Sequence, residues 1–280
     1  MWAGGKSKML KHYTPILPNV TTFSTYVEPF LGGGAVFADV SRRFTGKVFL
    51  NDRNSELVGV YEAVRDDHSG FKKDVHSIVS DILASPTKEA RKAKYYEVRS
   101  DYWKNPNPAT LYSLMRLGFN GVWQTCAESK GLFATPAGLL NQKDADAVLG
   151  KTQFSEWSEV LQDSTISSTD YQDVRFVPRN ALIFLDPPYR DSFTTYGTGF
   201  DDSHQREVVE WSKEMANSGA TVLLANRHVD GDDFFERLLP EAVFHDFDVT
   251  YTAGRRKVTD DGFEAKKARE FLAIIKPSIY

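Results

Sequence analysis

The sequence predicts an α/β protein with a largely parallel sheet and a helical insertion in the middle of the chain. The first observation is a β-α-β start, with a strand at residues 26–30, a glycine turn, a helix from residue 35 and a strand at 46–50. Strands that alternate with helices are typical of a parallel sheet. The second is the apolar run at 181–185, whose Leu, Ile and Phe side chains are typical of a strand buried on both faces.

The end of the chain fits the same sheet. A helix predicted at 202–218 is followed by a strand at 220–225, and a last strand is predicted at 270–275. A short strand is also predicted at 164–167, just before the apolar run. We therefore predict one discontinuous α/β domain made of residues 1–57 and 165–280.

Residues 58–164 differ from their surroundings and are predicted to form the insertion. Apolar residues recur every three or four positions, which predicts helices at 55–64, 71–83, 88–102 and 110–117. The stretch 118–138 is instead rich in glycine, aromatic and hydroxyl residues, which indicates a hairpin or an ordered loop.

Composition narrows the class of protein. The chain has 280 residues, of which 41% are hydrophobic and 26% charged, as in soluble globular proteins. Its apolar runs are far shorter than the roughly 20 residues of a membrane span, and the first residues lack a signal peptide's apolar core. The single cysteine, Cys126, excludes an intrachain disulfide and favours a reducing cytoplasm. The net charge of −4 does not by itself indicate nucleic-acid binding. Basic clusters at 255–257 and 266–269 could supply local positive charge.

The tetrapeptide Asp186-Pro187-Pro188-Tyr189 follows the apolar strand directly. Open α/β sheets bind ligands at the carboxyl ends of their strands. The prolines stiffen the backbone and remove N–H donors, so that carbonyls remain to accept hydrogen bonds. With Asp186 as an acceptor and Tyr189 as a stacking face, this pattern suits the exocyclic amine of a flat base. The alternative is a Pro-Pro turn beside a solvated Asp186.

The first β-α-β unit carries a second candidate site, for a cofactor. The glycines at 32–34 allow the backbone to turn sharply and to approach a ligand. Asp52, at the end of the next strand, is placed to accept from both hydroxyls of a ribose. Position 37 is Phe, so the dinucleotide spacing G-x-G-x-x-G is not met. This favours an adenosine cofactor without phosphates, S-adenosylmethionine. Lys6 is a candidate partner for its carboxylate and Trp2 for an apolar wall; a surface lysine and a core-edge tryptophan are the alternatives.

Taken together, these segments resemble the Dam-type DNA adenine-N6 methyltransferases, in the class whose recognition region lies between the cofactor and catalytic motifs. The resemblance rests on residues 2–6, 28–36, 51–54 and 186–189, with weaker similarity at 116–121 and 131–138. It implies a Rossmann-like S-adenosylmethionine-dependent catalytic domain, a target-recognition insertion at 58–164 and double-stranded DNA as partner. An obligate protein partner is not evident. The cytoplasm would be bacterial, or that of the host if a virus encodes the protein.

The resemblance also implies roles for individual residues. The implied catalytic residues are Asp186, Pro187 and Tyr189. The implied cofactor-binding residues are Trp2, Lys6, Glu28, Phe30, Gly32, Gly34, Asp52, Asp170, Tyr171 and Asp186. The implied DNA-binding residues are Arg116, Asn120, Gln124, Lys130, Tyr196 and Phe200. A metal is not expected, because the six histidines are not spaced as ligands.

The mechanism expected from this motif needs no prior deprotonation of the amine. Asp186 and the Pro187 carbonyl each accept one N–H of the adenine amine, which localises the nitrogen lone pair for attack on the sulfonium methyl. Because a stacked base is out of reach, the adenine flips out and stacks on Tyr189. Tyr196 and Phe200, in a segment with two glycines, are expected to close over the base or to fill the space that it leaves.

The chain departs from the family pattern in its reader segment. The family often has an arginine shortly after the Asn-Gly pair at 120–121, whereas this chain has Gln124. Arginine pairs best with guanine and glutamine with adenine. Ala134 also follows Phe133 where the family commonly has Asn. A GATC-like site and relaxed specificity therefore both stay open. Alternatives for the activity are cytosine-N4 methylation and a DNA-binding protein that has lost catalysis.

Overall fold

The computed structural model describes residues 6–150, 152–190, 200–251, 257–259, 262–264 and 266–277. A seven-stranded sheet forms its centre, in the order β3-β2-β1-β4-β5-β9-β6. The strands are β1 (Thr25–Glu28), β2 (Lys47–Asn51), β3 (Ser164–Ser167), β4 (Ala181–Leu185), β5 (Thr221–Arg227), β6 (Val243–Tyr251) and β9 (Lys266–Ile275). Two more, β7 (Lys257–Thr259) and β8 (Gly262–Glu264), pair with each other.

The predicted parallel sheet is confirmed. Strands β3, β2, β1, β4 and β5 are parallel, whereas β9 runs antiparallel between β5 and β6. From β1 the chain proceeds outward to β2 on one side, and from β4 outward to β5 on the other. The strand order thus reverses between β1 and β4, and such a reversal opens a crevice at the carboxyl ends of the two strands.

Nine helices surround the sheet in the part of the chain that the structure describes. They are α1 (Leu10–Tyr13), α2 (Ala35–Val40), α3 (Ser55–Leu83), α4 (Lys88–Lys104), α5 (Pro108–Leu117), α6 (Ala145–Leu149), α7 (Phe154–Leu161), α8 (Asp202–Asn217) and α9 (Phe234–Leu238). Within the described ranges, none of these helices is both long and apolar enough to cross a membrane.

Helix α3 spans two of the predicted helices. It begins at the cap Asn54, whose Oδ1 accepts the Leu57 N–H at 3.1 Å, and continues to Leu83. The backbone is non-helical at Asp67 (φ −150°, ψ 77°), and Asp67 Oδ1 accepts the Gly70 N–H at 2.9 Å. The predicted gap between two helices is therefore a kink within one long element.

Two apolar clusters cover the two faces of the sheet. Along β4, Leu182 and Phe184 belong to one cluster, whereas Ile183 and Leu185 belong to the other, as alternation along a strand requires. The first cluster extends into the helices of the middle part of the chain, because it also contains Val75, Ile82, Leu111, Phe133 and Phe154. The predicted boundary after residue 57 falls inside α3, and the division into two domains stays a prediction.

Strand β6 was not predicted from the sequence, for a physical reason. Among the described strands it lies at the edge of the sheet beside β9, and exposed polar residues alternate with half-buried apolar ones over 246–250 but not at its start. Val243, for example, is 49% exposed. The short helices α6, α7 and α9 were also missed, since five to eight residues hold too few turns for a clear period.

Candidate active site

The catalytic motif lies at the point where the strand order reverses. Glu28 is the last residue of β1, and Asp186 follows the last residue of β4, its parallel neighbour. Lys6 reaches the same edge from a short 3₁₀ turn near the start of the chain. Its Nζ lies 2.8 Å from Asp186 Oδ1 and 4.5 Å from the centre of the Tyr189 ring. Since Lys6 is only 7% exposed, this ion pair is largely shielded from water.

Tyr189 has a second partner that the sequence did not indicate. Its hydroxyl donates to Glu270 Oε2 at 3.0 Å. Glu270 lies on β9 and is 4% exposed. A charged residue directly before the apolar run Phe271-Leu272-Ala273 was the available signal, because a carboxylate in a buried strand needs a partner. Lys6, Asp186, Tyr189 and Glu270 therefore form one connected polar cluster.

Burial shifts the pKa of the carboxyl groups at this edge. Desolvation raises the pKa of Asp186, the Lys6 ammonium opposes this rise, and the Glu270 carboxylate adds to it. The pKa of Glu28 rises to about 8, mainly through burial, although the Tyr26 hydroxyl, which donates to it at 2.7 Å, works against the rise. Glu28 is therefore protonated at neutral pH, whereas Lys6 helps to keep the negative charge on Asp186.

Asp52 lies where a ribose-binding acid was predicted. Its Oδ2 accepts the Gly32 N–H at 2.8 Å, and its Oδ1 accepts the Asn54 N–H at 2.9 Å. Burial raises its pKa, while these two backbone bonds lower it. A carboxylate has about four acceptor sites, so two remain for a pair of hydroxyls. This acceptor set fits the ribose of S-adenosylmethionine.

The glycine turn between β1 and α2 is supported by side chains of α3 and α7. Gly32 and Gly34 have positive φ angles of 47° and 60°, which favour glycine. The Tyr61 hydroxyl, on α3, donates to the Gly32 carbonyl at 2.8 Å. A Cβ on Gly34 would lie 3.0 Å from both Tyr61 and Trp157. The absence of a side chain at Gly34 thus serves the packing of α3 and α7, a role that the sequence did not reveal.

Two aromatic rings lie together at the edge of this turn. The centres of the Phe30 and Tyr171 rings are 5.1 Å apart, with 31° between their planes. Asp170 Oδ1 accepts the Gln172 N–H at 3.2 Å and so caps the turn that carries Tyr171. The buried Asn51 amide joins the two segments, because its Nδ2 donates to the Pro29 and Thr169 carbonyls at 3.0 and 3.1 Å. The apolar faces needed by an adenine ring are thus present beside Asp52.

The segment 118–138 is an ordered loop that contains one isolated bridge, between Gly118 and Ala137. Side chains from the neighbouring helices hold its backbone. The hydroxyl of Tyr95 donates to the Thr135 carbonyl at 2.9 Å, Arg99 Nη1 to the Ala134 carbonyl at 2.6 Å, and Trp103 Nε1 to the Phe133 carbonyl at 2.9 Å. Glu56 Oε1 accepts the Phe133 N–H at 3.2 Å and also the Tyr102 hydroxyl.

The predicted DNA-binding residues have different surroundings. Asn120 and Lys130 are exposed, each with a positive φ, of 54° and 50° respectively. Gln124 is half-buried, with its backbone bonded to residues 134 and 135. The Arg116 guanidinium donates to the Val148 carbonyl, and the Phe200 ring lies 5.3 Å from the ring of His204. Trp2 and Tyr196 lie outside the described residues. The DNA-binding roles stay predictions.

The sheet order and the site together define a class of enzyme. A Rossmann-like sheet with a glycine turn, a ribose-type acid and a catalytic motif at the reversal of strand order is that of an S-adenosylmethionine-dependent methyltransferase. A family model described as "D12 class N6 adenine-specific DNA methyltransferase" matches residues 2–253. The chain belongs to this family, so its substrate is DNA, its methyl donor is S-adenosylmethionine and its product is N6-methylated adenine.

Relatives from an archaeon, a virus and a bacterium agree with this assignment. The chain is 27% identical to the type II methyltransferase M.MjaIII of Methanocaldococcus jannaschii, covering 95% of this chain and 93% of that protein. It is 31% identical to M.CviBI of Paramecium bursaria Chlorella virus NC1A, over 70% of each chain. It is 25% identical to the DNA adenine methylase of Escherichia coli K12, covering 99% of this chain and 95% of that protein.

Among solved structures, the chain is similar to an S-adenosylmethionine-dependent O-methyltransferase of Thermotoga maritima. The TM-score is 0.40 at 12% identity, covering 98% of this chain and 66% of that one. The predicted family, reaction and cofactor are confirmed by the family match and by the sequence relatives.

Proposed function

We propose that Asp186 and the Pro187 carbonyl accept the two N–H groups of a target adenine that has flipped out of the DNA and stacks on Tyr189. The observation that carries this proposal is the shielded ion pair between Lys6 and Asp186, 2.8 Å long, at the face of the Tyr189 ring. An ammonium at this distance favours the ionised form of a carboxyl group whose burial disfavours it. Asp186 is thus kept as an acceptor in a largely buried site.

These two acceptors make the amine reactive. The lone pair of an exocyclic amine is delocalised into the ring, so the nitrogen is a poor nucleophile. When both N–H groups are held aside, the nitrogen moves toward tetrahedral geometry and its lone pair becomes available for attack. Bound S-adenosylmethionine supplies an electrophilic methyl on a positively charged sulfur. As the N–C bond forms, the bond between the methyl and the sulfur would break, S-adenosylhomocysteine would leave with its electron pair, and Asp186 would accept the amine proton that is hydrogen-bonded to it. Positioning of this kind contributes roughly 7–11 kcal/mol.

Lys6 has its main role here at Asp186. Its Nζ contacts Asp186 and the Tyr189 ring. Glu28 complements this arrangement because it is neutral at pH 7, since its pKa is about 8. A protonated carboxyl adds a donor next to the pair without adding a second negative charge. Contact between Lys6 and the methionine carboxylate of the cofactor stays a prediction.

The cofactor roles follow from the second part of the site. Asp52 accepts from the ribose hydroxyls with its two remaining acceptor positions, while Gly32 and Gly34 keep the backbone close to the ligand. Phe30 and Tyr171 provide apolar surface for the adenine ring. Asp170 holds the turn of Tyr171 through its bond to the Gln172 N–H.

The reader segment supports relaxed specificity. Gln124 stands where an arginine is frequent in the family, and it lacks the bidentate match to guanine. Asn120 and Lys130 are exposed, so their side chains can contact DNA. We assign to Arg116 and Phe200 supporting contacts with the DNA. The expected target is a short adenine-containing site with weak selection at the guanine of GATC. We further place the activity in the cytoplasm of a bacterium, or of the host of a virus that encodes it.

Product analysis tests the proposed chemistry. Purified protein is incubated with S-adenosylmethionine and unmethylated DNA, which is then digested to nucleosides for mass spectrometry. We expect N6-methyladenine, formed at least about a hundredfold more slowly by Asp186→Ala, in line with the loss of a key transition-state contact. Cofactor binding should survive in this variant. The exposed Asp163→Ala serves as the matched control.

Three outcomes would contradict the proposal. Near-normal turnover by Asp186→Ala would remove Asp186 from the chemistry. N4-methylcytosine as the main product would show that the enzyme methylates the cytosine amine and not the adenine amine. Intact cofactor binding without any methylated base would identify a protein that has lost catalysis. Sequencing of the modified DNA then gives the target site, and strict GATC methylation would contradict relaxed specificity.

A further inference from the structure

Two fully buried amide side chains lie behind the catalytic motif. Gln205 is on α8 and Asn226 is on β5, and both are 0% exposed. Neither belongs to a motif that the sequence singled out. Burial of an amide is unfavourable unless its polar atoms are hydrogen-bonded. Both side chains meet this requirement largely through the backbone next to Tyr189.

The hydrogen bonds form a directed chain. Asn226 Oδ1 accepts the N–H groups of Arg190 and Arg227 at 3.2 and 2.9 Å. The Asn226 Nδ2 therefore faces the Gln205 Oε1, at 3.1 Å. This leaves the Gln205 Nε2 to donate to the Pro188 carbonyl at 2.8 Å. Backbone N–H groups can only donate and carbonyls only accept. The backbone groups at the two ends of this hydrogen-bond chain therefore determine the orientation of both side-chain amides.

The two ends of this chain bracket Tyr189. The Pro188 carbonyl belongs to the peptide group before Tyr189, and the Arg190 N–H to the peptide group after it. Arg227 Nε adds a bond to the Arg190 carbonyl at 2.7 Å. Upstream, the proline rings restrict the backbone at positions 187 and 188. Rotation of the backbone at Tyr189 would thus break buried hydrogen bonds on one side or the other.

We propose that Gln205 and Asn226 form an amide clamp, a pair of positioning residues that fixes the peptide groups flanking Tyr189 and thereby the aim of the catalytic acceptors. The clamp touches neither DNA nor cofactor and acts through residues 186–189. It rests on the proposed roles of Asp186 and Pro187. Since misplacement of reacting groups by about 1 Å can cost a hundredfold in rate, the arrangement bears directly on kcat.

The test compares three variants. Asn226→Ala removes the acceptor for the Arg190 N–H, and Gln205→Met removes the donor to Pro188 while keeping the side-chain volume. Ser212→Ala is the matched control, because this hydroxyl is also buried on α8 but donates to the Val208 carbonyl of its own helix, at 2.7 Å. Methyl transfer is measured at saturating DNA and cofactor, well below the melting temperature of each variant.

We expect kcat to fall about ten- to a hundredfold in both clamp variants, with the KM for S-adenosylmethionine within about twofold of the parent. The pH at which kcat falls in acid should not move, because the clamp carries no charge. The control should keep the parent kcat. If Asn226→Ala does not fold, the volume-conserving Gln205→Met decides the question.

Several results would overturn the clamp. They are an unchanged kcat in a folded clamp variant, an equal loss in Ser212→Ala, and a shift of the acid limb. Asp186→Ala measured in parallel separates the two proposals. If Asp186→Ala is inactive while the clamp variants keep the parent kcat, only the proposal of the amide clamp is overturned. If Asp186→Ala stays active, the proposed roles at the amine fail as well.

Discussion

The catalytic edge and the segment 118–138, which we propose to contact DNA and call the recognition segment, hold their polar groups in opposite ways. At the catalytic edge, side chains bind other side chains: Lys6 binds Asp186 and Tyr189 binds Glu270, both largely shielded from water. In the recognition segment, residues 118–138, side chains of the helices bind backbone instead, as Arg99 does at the Ala134 carbonyl. Exposed side chains such as Asn120 and Lys130 stay on the outside.

This difference separates two kinds of control. A buried network of charges sets which groups are ionised, and therefore the rate and pH dependence of the reaction. A backbone held from behind sets the shape that is presented to a partner and leaves the outer side chains to change. Substitutions in the first region should alter kcat, and those in the second should alter the KM for DNA.

Lys6→Met should have the largest effect and would show whether the catalytic edge works through charge. Without the ammonium, the pKa of Asp186 rises further, because burial then acts with less opposition. The reaction needs the ionised carboxylate, so the acid limb of kcat should move to higher pH. At neutral pH, kcat should fall about tenfold or more.

The control for Lys6→Met is Lys8→Met, since Lys8 is exposed on the same turn. A pH series of kcat at saturating substrates gives the answer. If Lys6→Met weakened only cofactor binding and left the acid limb in place, the ion pair would not govern the charge on Asp186.

Arg99→Ala probes the recognition segment and should have an intermediate effect. The change removes the guanidinium that donates to the Ala134 and Thr135 carbonyls at 2.6 and 3.3 Å, and among the described residues only the Thr135 carbonyl keeps another donor, the Tyr95 hydroxyl. The free energy of unfolding should fall by about 1–3 kcal/mol. The KM for DNA should rise about tenfold with kcat unchanged at saturation. Urea unfolding and steady-state kinetics measure the two effects.

Arg91→Ala is the matched control for this experiment. Arg91 lies on the same helix and also binds carbonyls, but those of Ser85, Leu140 and Gln142, outside the segment. It should lose stability without a change in the KM for DNA. A loss of kcat in Arg99→Ala with an unchanged KM would break the contrast between the two regions.

Glu28→Gln should have the smallest effect on methylation. Its effect on the free energy of unfolding should be clearest at high pH. The pKa of Glu28 is raised from 4.5 to about 8 in the folded protein. The folded state therefore holds a proton that the unfolded state releases, and stability is lost as pH rises from about 5 through 8. Glutamine cannot ionise, so this loss, ~1.4 kcal/mol per pH unit at most, should vanish.

Unfolding by urea at about pH 6 and about pH 9 measures the change at Glu28. Turnover at neutral pH should stay within about twofold of the parent, because glutamine resembles the protonated acid. The exposed Glu89→Gln should behave as the parent does. An equal pH slope in Glu28→Gln and the parent would show that Glu28 is ionised throughout.

The sequence was most informative where a site is local. Asp186 and Tyr189 lie in one tetrapeptide, and Asp52 ends a strand next to the glycine turn, so short motifs predicted them. Glu270 and Asn226 reach the site only because β5 lies next to β4 and β9 lies next to β5, on one side of the sheet. That order depends on long-range packing, which no local pattern records. The sheet and the cofactor turn were therefore predictable, whereas their buried supports were not.

The recognition segment illustrates the same limit differently. Helix α4 carries Tyr95, Arg99 and Trp103 at intervals of four residues. Their position on one face of the helix could therefore be predicted. The segment that this face binds could not be predicted, because residues 133–135 have no regular secondary structure that a sequence pattern would indicate. The kink at Asp67 was visible only as a gap between two predicted helices.

The contact of Tyr61 and Trp157 with the glycine turn has a consequence for engineering. Both residues fall in the predicted insertion, 58–164, yet Tyr61 donates to the Gly32 carbonyl and both side chains lie against Gly34 of the cofactor turn. A hybrid enzyme that exchanged residues 58–164 for those of a relative would also exchange the support of its cofactor turn. New target preference in such chimeras would come with altered affinity for the methyl donor unless these two side chains were grafted back.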